Sequence, residues 1–160
     1  MGLFDIFKKK TVEKEVSKSS PKVFEDFFME VQEEMIALCL EYVKGISVDV
    51  IYAYGSIETK AASFNAFYLS EGKVLTASKI RNDVAMIKQF LRLGTDDLLR
   101  LSEVCKEHNR PVPTELRLVY NVGNKSLDTH YEYNSICNPE NGILPSDVFM
   151  EWKDSVEKGM

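Results

Sequence analysis

An α+β fold is predicted, with one antiparallel sheet of about five strands and helices packed on one face. Three observations predict it. The arms Glu115–Val122 and Ser126–Tyr133 alternate apolar and polar residues around a Gly-Asn-Lys turn, the pattern of a β-hairpin. Residues 47–77 hold three more short strand-like segments divided by turn residues. Segments with apolar residues at three- and four-residue spacing precede, separate and follow these strands. The predicted order is helix, three strands, helices, β-hairpin, helix, and strands adjacent in sequence tend to pair.

Residues 1–20 read as a flexible basic tail. Leu3, Phe4, Ile6 and Phe7 form a short apolar patch followed by lysines, suited at most to weak contact with a membrane surface. Ile6 at the sixth position breaks the myristoylation pattern. Residues 21–160 are expected to form one domain. Ser20-Pro21 is a helix start, after which Phe24, Phe27, Phe28, Val31, Met35, Leu38 and Tyr42 mark a core-facing stripe ending at Gly45.

Val48, Val50, Tyr52 and Tyr54 predict a strand over 47–54, with a turn from Gly55 to Lys60. Further strands are expected at Ala61–Leu69 and Val74–Ala77. Asn82–Leu93 is helical, with Val84, Ile87, Leu91 and either Met86 or Phe90 inward. Gly94-Thr-Asp-Asp97 reads as a cap between two helical pieces, so this region is one broken helix or two helices. The second piece ends near His108, before Pro111 and Pro113. Past the hairpin, Leu144-Pro-Ser-Asp147 opens a last helix carrying Val148, Phe149, Trp152 and Val156.

Composition narrows the function classes. The net charge is −5, but residues 1–20 carry +2 and the remaining 140 residues −7. An acidic body disfavours direct nucleic-acid binding and suits a basic partner, although mild acidity also serves solubility alone. No run of 18 apolar residues predicts a membrane span, and no secretory leader is expected. The three cysteines, Cys39, Cys105 and Cys137, are far apart and odd in number, so free buried thiols are expected.

The search for chemistry returns little. No GxSxG, SxxK, Walker A or GxGxxG motif occurs, and two histidines cannot build a multi-histidine metal centre. Asp128, His130 and Glu132 lie at alternate positions on one strand face. They could bind a metal or exchange protons, but any solvent-facing strand alternates in this way. No enzyme activity, metal or cofactor is therefore expected. Tyr52, Tyr54, Tyr131 and Tyr133 either line one exposed aromatic face with an acidic border, a protein-binding profile, or straddle core and solvent.

The layout resembles the YezG-like immunity (antitoxin) family of Gram-positive bacteria. The resemblance rests on the opening amphipathic helix, the strand Val50-Ile-Tyr-Ala-Tyr54, and the second strand with Phe64, Phe67 and Tyr68. Asp96–Leu101, the Pro111-Val-Pro-Thr114 entry to a Leu-Arg-Leu strand, Asp128–Tyr133 and the closing Phe149-Met-Glu-Trp-Lys153 complete it. Thr114 departs from the family, which usually has an aromatic residue there. The resemblance implies a cytoplasmic partner that neutralises a secreted nuclease-type toxin by occluding or distorting it. The candidate contacts are Tyr52, Tyr54, Asp128, His130 and Glu132. The alternative is an adaptor or chaperone of a secretion system, held near the inner membrane face by the tail.

Overall fold

The computed structural model describes residues 22–58, 61–138 and 140–159. The expected tail with Leu3, Phe4, Ile6 and Phe7, and the Ser20-Pro21 start, lie outside the described residues. Helix α1 spans Phe24–Tyr42. Its first turn is closed by Asp26, whose carboxylate accepts from the Val23 N–H at 3.1 Å. No basic residue occupies its last turn. Arg81 supplies that charge from elsewhere, donating to the Tyr42 carbonyl at 2.6 Å and the Lys44 carbonyl at 3.0 Å.

Strands β1 (Val50–Glu58), β2 (Ala61–Ser70) and β3 (Lys73–Thr76) form a meander. A single turn of helix, α2 (Ala77–Ile80), leads into the long α3 (Val84–Glu107). The hairpin β4 (Glu115–Asn121) and β5 (Ser126–Glu132) follows, then α4 (Pro145–Lys158). The sheet order is β3-β2-β1-β4-β5 with every pairing antiparallel, so the expected α+β fold and five-stranded sheet are present.

Two glycines expected at turns and caps act as packing positions instead. Gly55 lies inside β1, opposite Phe64 on β2 and Leu116 on β4. A Cβ on Gly55 would stand 2.4 Å from Leu98 Cδ2, so the helix side chain fills that notch. Gly94 lies one turn before Leu98 in an unbroken α3, and a Cβ there would stand 2.1 Å from Phe64 Cδ2. Strand and helix thus exchange one large side chain each into the other's glycine. This is why α3 does not break: the glycine serves close approach, and Asp83 supplies the helix's real cap by accepting from Ala85 N at 3.0 Å. Phe90 rather than Met86 turns inward, and Val84, expected inside, is exposed.

Helices α1 and α3 cover one sheet face, burying Ile51, Ala53, Phe64, Ala66, Tyr68, Leu116 and Leu118 against Met35, Cys39, Leu98 and Leu101. Three tyrosine hydroxyls on this side of the sheet find partners. Tyr68 donates to the Cys39 carbonyl at 3.0 Å, Tyr42 to the Ala77 carbonyl at 2.7 Å, and Tyr131 to Gln32 Oε1 at 2.7 Å.

Helix α4 departs from the expected one-sided arrangement and packs on the opposite face. Tyr52, Tyr54, Phe67, Leu69 and Val74 make that face apolar over β1–β3, and Val148, Phe149, Trp152 and Val156 cover it. Tyr52 stacks on Phe67 at 4.5 Å between centroids, and Trp152 meets both rings edge-on. All three cysteines are buried and free, as expected.

Gly94→Ala should cost roughly 1–2 kcal/mol in urea unfolding, because overpacking against Phe64 outweighs the gain in helix propensity. The loss should shrink in a Phe64→Leu background; an equal loss in both backgrounds would rule out this contact as its cause. A second prediction concerns pH. Burial pushes the Cys39 thiol and the Tyr68 hydroxyl far above their ordinary ranges of 9.0 and 10.0. The unfolded chain loses these protons first, so stability is complete below that range and falls as pH rises through it. The urea midpoint should hold up to about pH 8.5 and decline beyond about pH 9.

Candidate functional site

The need to bury Leu116 and Leu118 turns Glu115 and Arg117 to the other face of β4, the face that carries α4. The hairpin register places them beside β5 residues of the same face: Glu115 opposite Glu132, Arg117 opposite His130, and Val119 opposite Asp128. Helix α4 lies over β1–β3 and leaves this end of the sheet partly open. A cleft of about 470 Å³ results. Its floor is Glu115, Arg117, His130 and Glu132; its wall is Val148, Glu151, Trp152 and Ser155; Ile136 and Ile143 form the rim.

The rim is fixed by a carboxylate. Glu58, at the end of β1, accepts from Ser135 Oγ at 3.1 Å, Ile136 N at 3.2 Å and Cys137 N at 2.8 Å. Three donors on one carboxylate hold a segment that has no helix or strand of its own. Burial, followed by the Glu58 charge, raises the Cys137 thiol pKa, which keeps this sulfur protonated and unreactive.

Each strand of the floor carries its own acid–base pair. Arg117 Nε donates to Glu115 Oε2 at 3.0 Å, and its guanidinium lies 5.0 Å from the Trp152 ring. His130 Nε2 is 2.6 Å from Glu132 Oε2, so Nε2 carries the proton that the carboxylate accepts. Their environments differ: the Glu115 side chain is 4% exposed, whereas His130 and Glu132 are 59% and 38% exposed. Among the described residues, Glu115 Oε1 and the Tyr54 hydroxyl are buried without hydrogen-bond partners. Burial and then the Glu115 charge push the Tyr54 pKa well above the usual phenol range. The cleft is thus acidic, with three glutamates against one arginine.

Of the residues expected from sequence, His130 and Glu132 line the cleft, while Asp128 lies one pair further along the exposed edge strand. Of the two alternatives left open for Tyr52, Tyr54, Tyr131 and Tyr133, a single shared exposed face is not what the structure shows. Tyr131 reaches α1 through Gln32 on one sheet face, while Tyr52 and Tyr54 lie under α4 on the other. Tyr54 is 1% exposed, with Phe149 packed beside its ring, so it presents no surface to a partner in this structure. No group of three or more His, Cys, Asp or Glu among the described residues is arranged to hold a metal ion. No described helix is long and apolar enough to cross a membrane.

Sequence reasoning did not single out Glu115, Arg117 or Trp152. The signal was present in the alternation of Glu115-Leu-Arg-Leu118. Once Leu116 and Leu118 are core, Glu115 and Arg117 must share the face of Asp128, His130 and Glu132. Compared with models of protein families and with curated proteins, the chain matches none.

Arg117→Gln leaves Glu115 enclosed without its cation, and thermal unfolding should register a loss of about 2 kcal/mol. Adding Glu115→Gln should recover part of that loss. Strict additivity of the two substitutions would show that the pair is not coupled.

Proposed function

We propose that this chain is an immunity protein that binds and neutralises a basic, nuclease-type toxin domain in the cytoplasm. It acts by occupying or distorting the toxin's active surface and performs no chemistry of its own. The observation that carries this reading is the acidic edge of the sheet. Asp128, His130 and Glu132 stand on an outer strand beside a cleft that adds Glu115 and Glu151. A compact negative surface of this kind speeds and orients capture of a positively charged partner. The tie from Tyr131 to Gln32 fixes this strand to α1, so the surface is ordered before it meets a partner. The resemblance of the element order to YezG-like immunity proteins supports the same reading.

The test is co-expression with the cognate toxin domain, together with affinity capture from the native host. Asp128→Lys combined with Glu132→Lys should weaken toxin binding roughly tenfold or more while the circular dichroism spectrum is unchanged. A double variant that still binds and protects fully removes this edge as the interface. Capture of secretion-machinery components in place of a toxin would favour the adaptor reading.

A further inference from the structure

One edge of the sheet carries no closing device. The sheet order ends at β5, so among the described residues no strand pairs with its outer side. Natural edge strands are kept single by being short, or by lysine, proline or a bulge. The other edge, β3, is four residues long and opens on Lys73. Strand β5 runs seven residues, Ser126-Leu-Asp-Thr-His-Tyr-Glu132, without lysine, arginine, glycine or proline. Backbone alternation decides what its outer side offers. The Thr114 N–H donates to the Glu132 carbonyl at 2.8 Å, so Glu132 directs that group at β4. At the other end of β4, the Val122 N–H donates away from β5, to the Asp49 carbonyl at 3.0 Å, which leaves Asn121 to bond its partner Ser126. Even-numbered β5 residues therefore point their backbone groups at β4, and Leu127, Thr129 and Tyr131 point theirs outward.

We infer that β5 is a self-pairing edge, to which a second copy of this chain adds antiparallel about a twofold axis at Thr129. The sequence on either side of Thr129 is self-complementary in that register. Thr129 faces Thr129 of the second copy, and Leu127 faces its Tyr131, so each outward N–H meets an outward carbonyl. On the α4 face, Asp128 stands opposite His130 of the second copy and His130 opposite its Asp128, an acid against a base on both sides of the axis. On the other face, Leu127 and Tyr131 are half-buried against the α1–α3 core, and their pairing carries that core across the junction. The outward backbone groups also permit an axis at Asp128 or at His130. The first sets Asp128 against itself, and the second sets Asp128 against Glu132, so charge selects Thr129. The contact uses the same patch on both copies and closes at two. The inference goes beyond the immunity reading and does not rest on it. The side chains of Asp128, His130 and Glu132 stay on the sheet face, where the rows of the two copies become one continuous surface.

Pairing along one edge buries a small area, which places the dimer in the weak class. The test is sedimentation equilibrium of the full-length protein from about 1 μM to 1 mM. The mass should rise with concentration from 18.3 kDa toward twice that value. Thr129→Pro removes an outward N–H and leaves the bonds to β4 in place. This variant should keep its circular dichroism spectrum while the dimer dissociation constant rises roughly tenfold or more. His130→Asp sets a carboxylate against Asp128 of the second copy and should weaken the dimer about tenfold. Adding Asp128→Lys should recover most of that loss. If Thr129→Pro fails to fold, this second pair of variants decides. A protein that stays at 18.3 kDa throughout overturns the inference and leaves the edge to another occupant, the N-terminal tail or a strand of another protein. A dimer undiminished in folded Thr129→Pro, or one that Asp128→Lys does not restore, overturns it as well.

Discussion

The exchange of side chains between β1–β2 and α3 is the contact on which the rest of the molecule depends. Phe64 enters the notch at Gly94, and Leu98 enters the notch at Gly55. Gly55 and Phe64 are cross-strand partners, and Gly94 and Leu98 are one helical turn apart. The four residues therefore fix the position of the helix along the strands and across them at once. A slide by one residue in either element would drive a side chain into backbone. Close-packed interiors tolerate such a misfit poorly, so the register of α3 on the sheet is set at this point.

With α3 fixed, the two faces of the sheet divide their tasks. The α1–α3 face carries the larger core, including the small residues Ala53 and Ala66 under the helices. The opposite face is apolar over β1–β3 and polar over β4–β5, and α4 covers the apolar part. The cleft is the boundary between these regions. It exists because Glu115, Arg117, His130 and Glu132 give α4 no apolar surface on which to extend. The Trp152 ring stands at that boundary, packed on Phe67 and Tyr52 and also facing the Arg117 guanidinium.

Much of this was legible in the sequence. Alternation identified β1, β4 and β5, turn residues marked off β2 and β3, and three- and four-residue spacing identified the long helices, because each element buries one face and exposes the other. What alternation could not give was the meaning of glycine. Gly55 and Gly94 read as punctuation, yet both are places where backbone must approach a neighbour, and only the packed structure distinguishes the two uses. The sequence leaves the placement of the tyrosines open between two alternatives for a related reason. Tyr52 and Tyr131 both fall on alternating strands, but which face each strand turns toward α1 depends on the pairing register, a long-range property. The acidic row Asp128, His130 and Glu132 was found, while its neighbours Glu115 and Arg117 went unnoticed because they read only as the polar half of a hairpin arm.

The central position of β1 has a consequence for the order in which the chain becomes structured. Its two neighbours come from different stretches of sequence: β2 follows immediately, whereas β4 arrives only after the whole of α3. The α1 helix and the β1–β3 meander can associate through local contacts while later residues are still being synthesised. The β4–β5 half must wait for a long loop to close, a slower step. Even the rim of the cleft depends on Glu58 capturing residues almost eighty positions downstream. The open acidic half therefore depends on the pairing that spans the longest stretch of sequence in the sheet, and a chain shortened before β4 would lack that surface altogether while keeping α1 and the β1–β3 segments.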